Sequence, residues 1–211
     1  MAYSVYYQTG VDNVIKDLLT FYYSDGAVIY DPTCGTDNYQ FSWLKQESLD
    51  TVLGLEKQYR YIKSDIKPEA NPDFVYDLLS DEPIPLQEQV DCIFYDPPFT
   101  PYFRGDERGE DYDMGKFPDI RIFYSKKVLK KFWDVLKFHG RLFLKFKDYY
   151  MDNKFTLAFE FILPNIDHQL WSIDALYIYR YFNNNIALYR SRVKEKRPVV
   201  VHTYYLVLRK W

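Results

Sequence analysis

The stretch CIFYDPPF, residues 92–99, decides how the fold of this chain is interpreted. Four apolar residues lead into Asp96, Pro97, Pro98 and Phe99. A short apolar run that ends in an acidic residue is typical of a buried parallel strand, and the carboxyl ends of such strands carry the functional site in an open α/β sheet. We therefore expect a strand to end at Asp96 and a site to lie beside it.

The four residues that follow this strand present hydrogen-bond acceptors. The two prolines fix the backbone and have no N–H, so carboxylate and carbonyl oxygens remain. Acceptors around an NH2 group would direct its lone pair toward an electrophile such as a methyl sulfonium, and Phe99 offers a face on which a base can stack. Asp96, Pro97, Pro98 and Phe99 are the predicted catalytic residues. A rigid turn is the structural alternative.

Four other apolar runs punctuate the chain. They are residues 27–30, 59–64, 74–76 and 142–146. The first three lead into Asp31, Asp65 and Asp77, whereas the fourth follows Gly140. Since the carboxyl ends of parallel strands meet at one edge of a sheet, these three carboxylates and Asp96 are expected to line that edge.

The turn after the first run, Asp31-Pro32-Thr33-Cys34-Gly35, is a candidate ligand-binding loop. A glycine lets the backbone pass close to a ligand, and the N–H groups of the turn and of a following helix can hold a carboxylate. All five residues are therefore candidates for cofactor binding. A plain turn glycine is the alternative at Gly35.

The acidic residues after the next two runs are further candidates for cofactor binding. Asp65 can accept two hydrogen bonds from ribose hydroxyls, and Asp77 can accept one from an adenine amino group. Both can instead be turn or helix-capping acids. Glu56 competes with Asp65, because a strand ending there would give a more usual spacing to Asp77. The sequence SDIKPEANPD favours Asp65, since it reads as a strand end entering a loop.

Between the strands, the spacing of apolar residues becomes helical. Residues 122–136 carry an apolar face and a lysine face, which predicts an amphipathic helix of about four turns. Residues 155–162 repeat the pattern before Pro164, which stops it.

The remaining segments close the sheet and flank the site. Residues 171–179 and 202–208 are β-rich and predict an antiparallel hairpin, joined by the basic segment 183–197. Residues 100–119 form a loop long enough to act as a lid over the site.

Composition limits the class of protein. The length of 211 residues predicts one domain spanning residues 1–211. No apolar stretch approaches the roughly 18 to 20 residues that cross a bilayer, and no signal peptide is recognised, so we expect a cytoplasmic protein without a membrane partner. Two cysteines and three scattered histidines predict neither disulfides nor a metal site. A net charge of −3 argues against bulk electrostatic coating of nucleic acid.

Taken in order, DPTCGT, Asp65, PDFVYD and YDPPF resemble the class I S-adenosylmethionine-dependent methyltransferases, specifically the amino-methyltransferases with a (D/N/S)PP(Y/F/W) motif. This resemblance implies a Rossmann-like α/β fold with a mostly parallel seven-stranded sheet and a terminal antiparallel hairpin. It implies S-adenosyl-L-methionine as cofactor, with its methionine portion at Asp31 to Gly35, its ribose at Asp65 and its adenine at Asp77. The target amine would lie at Asp96 to Phe99.

The resemblance also implies a nucleic-acid partner. We expect methyl transfer to an exocyclic amino group of a base, with N6 of adenine in DNA favoured over RNA. The base would have to be flipped out or single-stranded, since the amine cannot reach the cofactor from inside a duplex. A protein glutamine amide and a non-catalytic cofactor-binding subunit are the alternatives. Sequence specificity would come from residues 100–119, residues 183–197 or a separate partner. The oligomeric state stays open.

Overall fold

The computed structural model describes residues 3–7, 11–35, 59–97, 119–151, 154–180 and 202–211. Pro98, Phe99, Glu56 and the segments 100–118 and 183–197 lie outside these ranges. The strands are β1 Tyr3–Tyr7, β2 Val28–Asp31, β3 Arg60–Asp65, β4 Phe74–Val75, β5 Val90–Tyr95, β6 Leu136–Phe146, β7 Tyr149–Met151, β8 Lys154–Thr156, β9 Trp171–Arg180 and β10 His202–Lys210. The α-helices are α1 Val11–Tyr22, α2 Lys126–Val135 and α3 Phe159–Ile162, and 3-10 helices occur at Pro68–Ala70, Ile120–Tyr124 and Leu163–Asn165.

One large sheet organises the described residues. Eight strands form it in the order β1-β9-β10-β6-β5-β2-β3-β4, and β7 pairs separately with β8. Its pairings are parallel except the two made by β10, which runs antiparallel to β6 and β9. The predicted Rossmann-like α/β sheet with a closing antiparallel pair is confirmed. β1 adds an eighth strand to the seven expected by pairing in parallel with β9 at the edge.

All five apolar runs of the sequence are strands, β2 to β6. β6 begins well before its run, so Gly140 lies inside the strand rather than ahead of it. The register between β5 and β6 shifts between Val90 and Cys92, where β6 carries extra residues. A Cβ at Gly140 would lie 2.8 Å from the Lys137 carbonyl oxygen and 3.0 Å from that of Asp91. Glycine is therefore required for the close approach of the two strands at this bulge.

The helices differ from their predictions in extent. The helix expected over residues 122–136 is divided, because the Ser125 hydroxyl accepts from the Val128 N–H and starts α2 after a 3-10 turn. The helix expected over residues 155–162 is wrong in its first half. Phe155 belongs to β8, which pairs with β7, and only the last turn is helical.

The helix α1 was not predicted, although its sequence carries the signal. Val14, Ile15, Leu18 and Leu19 are fully buried and recur at helical spacing. They form a core on one face of the sheet with side chains from the central strands. The strand members of that core include Ile29, Cys92, Phe94, Phe143 and Val207.

The opposite face of the sheet carries a second core. Val128, Leu129 and Phe132 of α2 are buried against it. Their partners in the strands include Ile93, Tyr95, Leu142, Leu144 and Leu206. Alternate residues of β5 and β6 thus enter opposite cores, as the two-residue period of a strand requires. The two cores hold the central strands so that their carboxyl ends meet at one edge. Among the described residues, every helix is too short or too polar to cross a membrane.

Candidate active site at the carboxyl ends of the central strands

The turn that follows β2 lies between the ends of β3 and β5. The Cys34 N–H donates to the Ser64 carbonyl at 3.1 Å, which ties the turn to β3. The Asp96 N–H donates to the Thr33 hydroxyl at 3.1 Å, which ties it to β5. The structure therefore brings the turn of residues 31–35 together with two of the predicted strand-end carboxylates. Pro32 and Cys34 are buried within this turn, whereas Thr33 and Gly35 are half-buried.

Asp31 is a buried carboxyl at the end of β2, with 1% of its surface exposed. Its Oδ1 accepts from the Thr33 N–H at 2.9 Å, and its Oδ2 accepts from the Tyr61 hydroxyl at 2.7 Å. Burial raises the pKa of Asp31 to about 7, and the negative charges of Asp96 and Asp65 act in the same direction, against the two hydrogen bonds.

Asp65 shapes the turn after β2. Its Oδ2 accepts from the Gly35 N–H at 2.8 Å and its Oδ1 accepts from the Lys67 N–H at 3.0 Å. Gly35 has φ of +60°, the left-handed region that favours glycine. Each carboxylate oxygen retains a second lone pair, so a contact with ribose hydroxyls remains compatible with these bonds. The role of Asp65 in ribose binding stays a prediction.

Asp77 lies further out, after the edge strand β4. Its side chain is exposed, and its Oδ1 accepts from the Leu79 N–H at 2.9 Å. The same residue starts a turn, because its carbonyl accepts from the Ser80 N–H at 3.1 Å. These contacts place Asp77 at the rim of the site, and its adenine contact stays a prediction.

Asp96 is held differently from the other three carboxyls. Its Oδ2 accepts from the Lys145 ammonium at 2.7 Å, and the two side chains are 16% and 2% exposed. Its Oδ1 is buried and has no hydrogen-bond partner within the part of the chain that the structure describes. Burial raises the pKa of Asp96, whereas the charges of Lys145 and Lys147 lower it. Asp96 thus combines a fixed orientation with one acceptor that no described residue uses.

Two members of this site were missed at the level of sequence. Lys145 was treated as part of the apolar run LFLKF, although a single lysine within a buried strand is expensive unless it is paired. Tyr61 lies near the start of β3, and its hydroxyl reaches the carboxylate of Asp31 on the neighbouring strand. Only Lys145 carried a signal in the sequence, as a charged residue inside an apolar run near the carboxyl end of a strand.

The three carboxyl groups of the site suit a ligand that carries positive charge. Asp31, Asp65 and Asp96 are close enough for the last two to raise the pKa of the first. S-adenosylmethionine carries a sulfonium and an ammonium, and acceptors rather than donors are what such groups need. The buried Oδ1 of Asp96 is an acceptor of this kind. Within the described ranges, no three His, Cys, Asp or Glu side chains are arranged to hold a metal ion.

Comparison with known proteins places the fold. No protein-family model and no curated protein matches this sequence. Among solved structures, TrmN from Thermus thermophilus aligns with a TM-score of 0.52 and 13% identity over 95% of this chain, which spans 48% of TrmN. The N-methyltransferase NodS from Bradyrhizobium japonicum in complex with S-adenosyl-L-homocysteine aligns with a TM-score of 0.50 and 10% identity, over 94% of this chain and 85% of NodS. The cyclase SpnF aligns with a TM-score of 0.56 and 12% identity, over 100% of this chain and 87% of SpnF.

The chain has the class I methyltransferase fold. At these identities the likeness concerns the fold alone, and the presence of a cyclase among the similar structures shows that the fold does not determine the reaction. The features that indicate the reaction are therefore the carboxylates of the site, the turn of residues 31–35 and Lys145.

Proposed function

We propose that this protein is an S-adenosylmethionine-dependent methyltransferase that modifies an exocyclic amino group of a nucleic-acid base, with N6 of adenine in DNA as the favoured target. One observation carries the proposal. Asp96, directly after β5, is a half-buried carboxylate whose Oδ2 is bound to Lys145 while its buried Oδ1 lacks a partner among the described residues. A buried acceptor without a donor is costly, so a ligand with an N–H group is the natural occupant.

The cofactor would be bound at the ends of β2, β3 and β4. The turn from Asp31 to Gly35 would hold its methionine portion, Asp65 its ribose and Asp77 its adenine. The negative potential of Asp31, Asp65 and Asp96 would attract its positive charges. The methyltransferase fold and the bound S-adenosyl-L-homocysteine of NodS support this choice of cofactor.

The target amine would be held by acceptors. Its two N–H groups would donate to Asp96 Oδ1 and to the Pro97 carbonyl, which leaves the nitrogen lone pair directed at the methyl group, while Phe99 stacks on the base. Bound S-adenosylmethionine would supply an electrophilic methyl group and would take up the electron pair of its breaking C–S bond. The Asp96 carboxylate would orient the nitrogen lone pair toward that methyl group and would accept the proton that the nitrogen releases once the new N–C bond has formed.

Nucleic acid is favoured as the acceptor because the tetrapeptide at 96–99 resembles that of base amino-methyltransferases. An asparagine at position 96 would have favoured a glutamine amide, and this chain has aspartate. DNA is proposed ahead of RNA, and the experiment below separates them. A non-catalytic cofactor-binding subunit would have no use for a carboxylate fixed by a buried lysine.

The test is transfer of a labelled methyl group. The protein is incubated with radiolabelled S-adenosylmethionine and mixed DNA and RNA, and the nucleosides are then separated. We expect label in N6-methyladenosine or its deoxy form, and the sugar identifies the nucleic acid. The control is Asp96→Ala, which should bind cofactor in calorimetric titration without transferring label. Cofactor binding with no transfer by the wild-type protein to any nucleic acid would refute the proposal. A parallel incubation with protein extract, followed by amino-acid analysis, tests the glutamine side chain as the alternative acceptor.

A further inference from the structure

The pairing of Lys145 with Asp96 follows from the register of two strands. β5 and β6 run parallel, with Tyr95 opposite Leu144. The next residues along each strand, Asp96 and Lys145, therefore fall side by side, and their charged groups meet at 2.7 Å. The pair is therefore set by the pairing of β5 with β6, because Lys145 lies within β6 and Asp96 directly follows β5.

Lys145 is one of three lysines buried among the described residues, and its environment differs from the other two. The Lys131 ammonium donates to the Tyr76 hydroxyl and to main-chain carbonyls. The Lys210 ammonium donates to the carbonyls of Trp133 and Leu136. Each of those lysines satisfies neutral acceptors in the fold. Lys145 instead binds a carboxylate whose other oxygen has no partner among the residues that the structure describes, which is unexpected for a purely structural ion pair.

We propose that Lys145 is a positioning residue for methyl transfer: its ammonium holds Oδ2 of Asp96 so that Oδ1 stays ionised and directed at the target amine. This inference rests on the proposed function. A protonated carboxyl would present an O–H donor to the amine, whereas the ionised form presents only acceptors. Lys145 thereby acts through Asp96 and need not touch the base.

The other charged groups around Asp96 make Lys145 the principal counter-charge. Lys147, which follows β6, adds a weaker positive influence. Asp31, at the end of the neighbouring strand β2, is negative when ionised and opposes ionisation of Asp96. Thr33 offers a hydroxyl that accepts from the main chain of Asp96. Without Lys145, burial would raise the pKa of Asp96 further.

The direct test is a titration of the Asp96 carboxyl. Protein labelled with 13C at aspartate carboxyls is followed by NMR from pH 3 to 9, and Asp96→Asn identifies the signal. In Lys145→Met we expect the Asp96 midpoint to rise by about two pH units or more. The matched control is Lys210→Met, which also removes a buried lysine from the sheet and should leave the midpoint of Asp96 unchanged. An unchanged midpoint in folded Lys145→Met would overturn the inference.

The pH dependence of activity in the same variants is a second test. In a plot of kcat/KM against pH, the acidic limb of Lys145→Met should shift to higher pH by the same number of pH units as the NMR midpoint of Asp96. The activity of this variant should therefore partly return at higher pH. Lys145→Arg should keep the wild-type limb because it keeps the charge. A lysine with only a structural role would lower activity equally at every pH. Absence of transfer by the wild-type protein would refute the proposed function, while the NMR titration would still decide whether Lys145 keeps Asp96 ionised.

If Lys145→Met fails to fold, a double variant identifies the cause. If the cause is an uncompensated charge on Asp96, the double variant Lys145→Met with Asp96→Asn should recover most of the wild-type Tm, because neither charge is then buried alone. A double variant that stays unfolded would show that Lys145 supports the sheet for another reason, and the inference would be rejected.

Discussion

The carboxyl ends of β3 and β5 look alike in sequence and differ in the folded protein. β3 ends at Asp65, and Asp96 directly follows β5, although β3 is half-exposed and β5 is buried. Asp65, after β3, has both oxygens bound to main-chain N–H groups, those of Gly35 and Lys67. Asp96, after β5, has one oxygen bound to Lys145 and the other without a partner among the described residues. Asp65 shapes a turn through both oxygens, whereas in the described part of the chain Asp96 uses only one.

The chemistry of the following residues explains the difference. Aspartates at strand and loop ends in this protein commonly accept from the N–H two positions later. These pairs are Asp31 with Thr33, Asp65 with Lys67, Asp77 with Leu79, Asp119 with Arg121 and Asp167 with Gln169. Two positions after Asp96 stands Pro98, which has no N–H. The paired prolines therefore deny Asp96 the local cap that its counterparts use.

The largest expected effect separates Asp96 from Asp77. Asp96→Ala should lower kcat by roughly 1,000-fold or more with cofactor affinity nearly intact, because the lost contacts act in the transition state. Asp77→Ala should leave kcat nearly unchanged and act only on cofactor affinity. Turnover and calorimetric titration are measured on both variants. Equal losses of turnover that follow the folded fraction would mean that both aspartates merely build turns.

The next effect concerns stability and pH at Asp31. Its pKa is about 7 in the folded protein against 3.8 as the ordinary value. Between pH 4 and 7 the unfolded chain releases this proton while the folded protein keeps it, so rising pH disfavours folding, by up to roughly 4 kcal/mol in total. Asp31→Asn lacks this titration. We expect its free energy of unfolding, relative to wild type, to increase from pH 4.5 to pH 8 in urea denaturation. A difference independent of pH would show that Asp31 is ionised throughout.

Removal of Asp65 should act on both the turn and the cofactor. Asp65→Ala leaves the N–H groups of Gly35 and Lys67 without their acceptor, which should cost about 1.5 to 3 kcal/mol of unfolding free energy. Asp77→Ala, at an exposed turn, should cost about 1 kcal/mol or less. Cofactor affinity should fall further in Asp65→Ala than in Glu56→Ala. The reverse ranking in calorimetry would move the ribose site to Glu56.

The smallest effect tests the role of the prolines. Pro98→Ala restores an N–H two positions after Asp96, where it can bond to the carboxylate and compete with the target amine. We expect about a tenfold loss of kcat/KM, equivalent to one ordinary hydrogen bond, with little change in Tm. The control is Pro164→Ala, in the 3-10 helix after α3, which should leave kcat/KM unchanged. Full activity in Pro98→Ala would mean that the missing N–H is not what keeps Asp96 available.

Secondary structure was predicted well where the pattern was local and strong. The runs that became β2 and β5 are continuous and apolar, as buried parallel strands require, and the run that became β3 was recognised although it contains Arg60 and Lys63. The helix prediction for residues 155–162 was wrong in its first half, although the apolar spacing there fits a helix. The first residues form a strand because β8 pairs with β7. α1 was not predicted, although Val14, Ile15, Leu18 and Leu19 recur at helical spacing. β1 was not predicted because it is defined only by its pairing with β9.

The sequence by itself determined where carboxylates follow strands and which of them lacks a local N–H, because apolar period and proline chemistry act over a few residues. Tertiary structure decided what each carboxylate does. Asp65 binds the N–H of Gly35 across 30 positions, and Asp96 meets Lys145 across 49. The second contact depends on the register of β5 on β6, which includes the bulge at Gly140. Register is set by long-range pairing and packing of whole strands, and a one-residue shift would point Lys145 to the other face of the sheet.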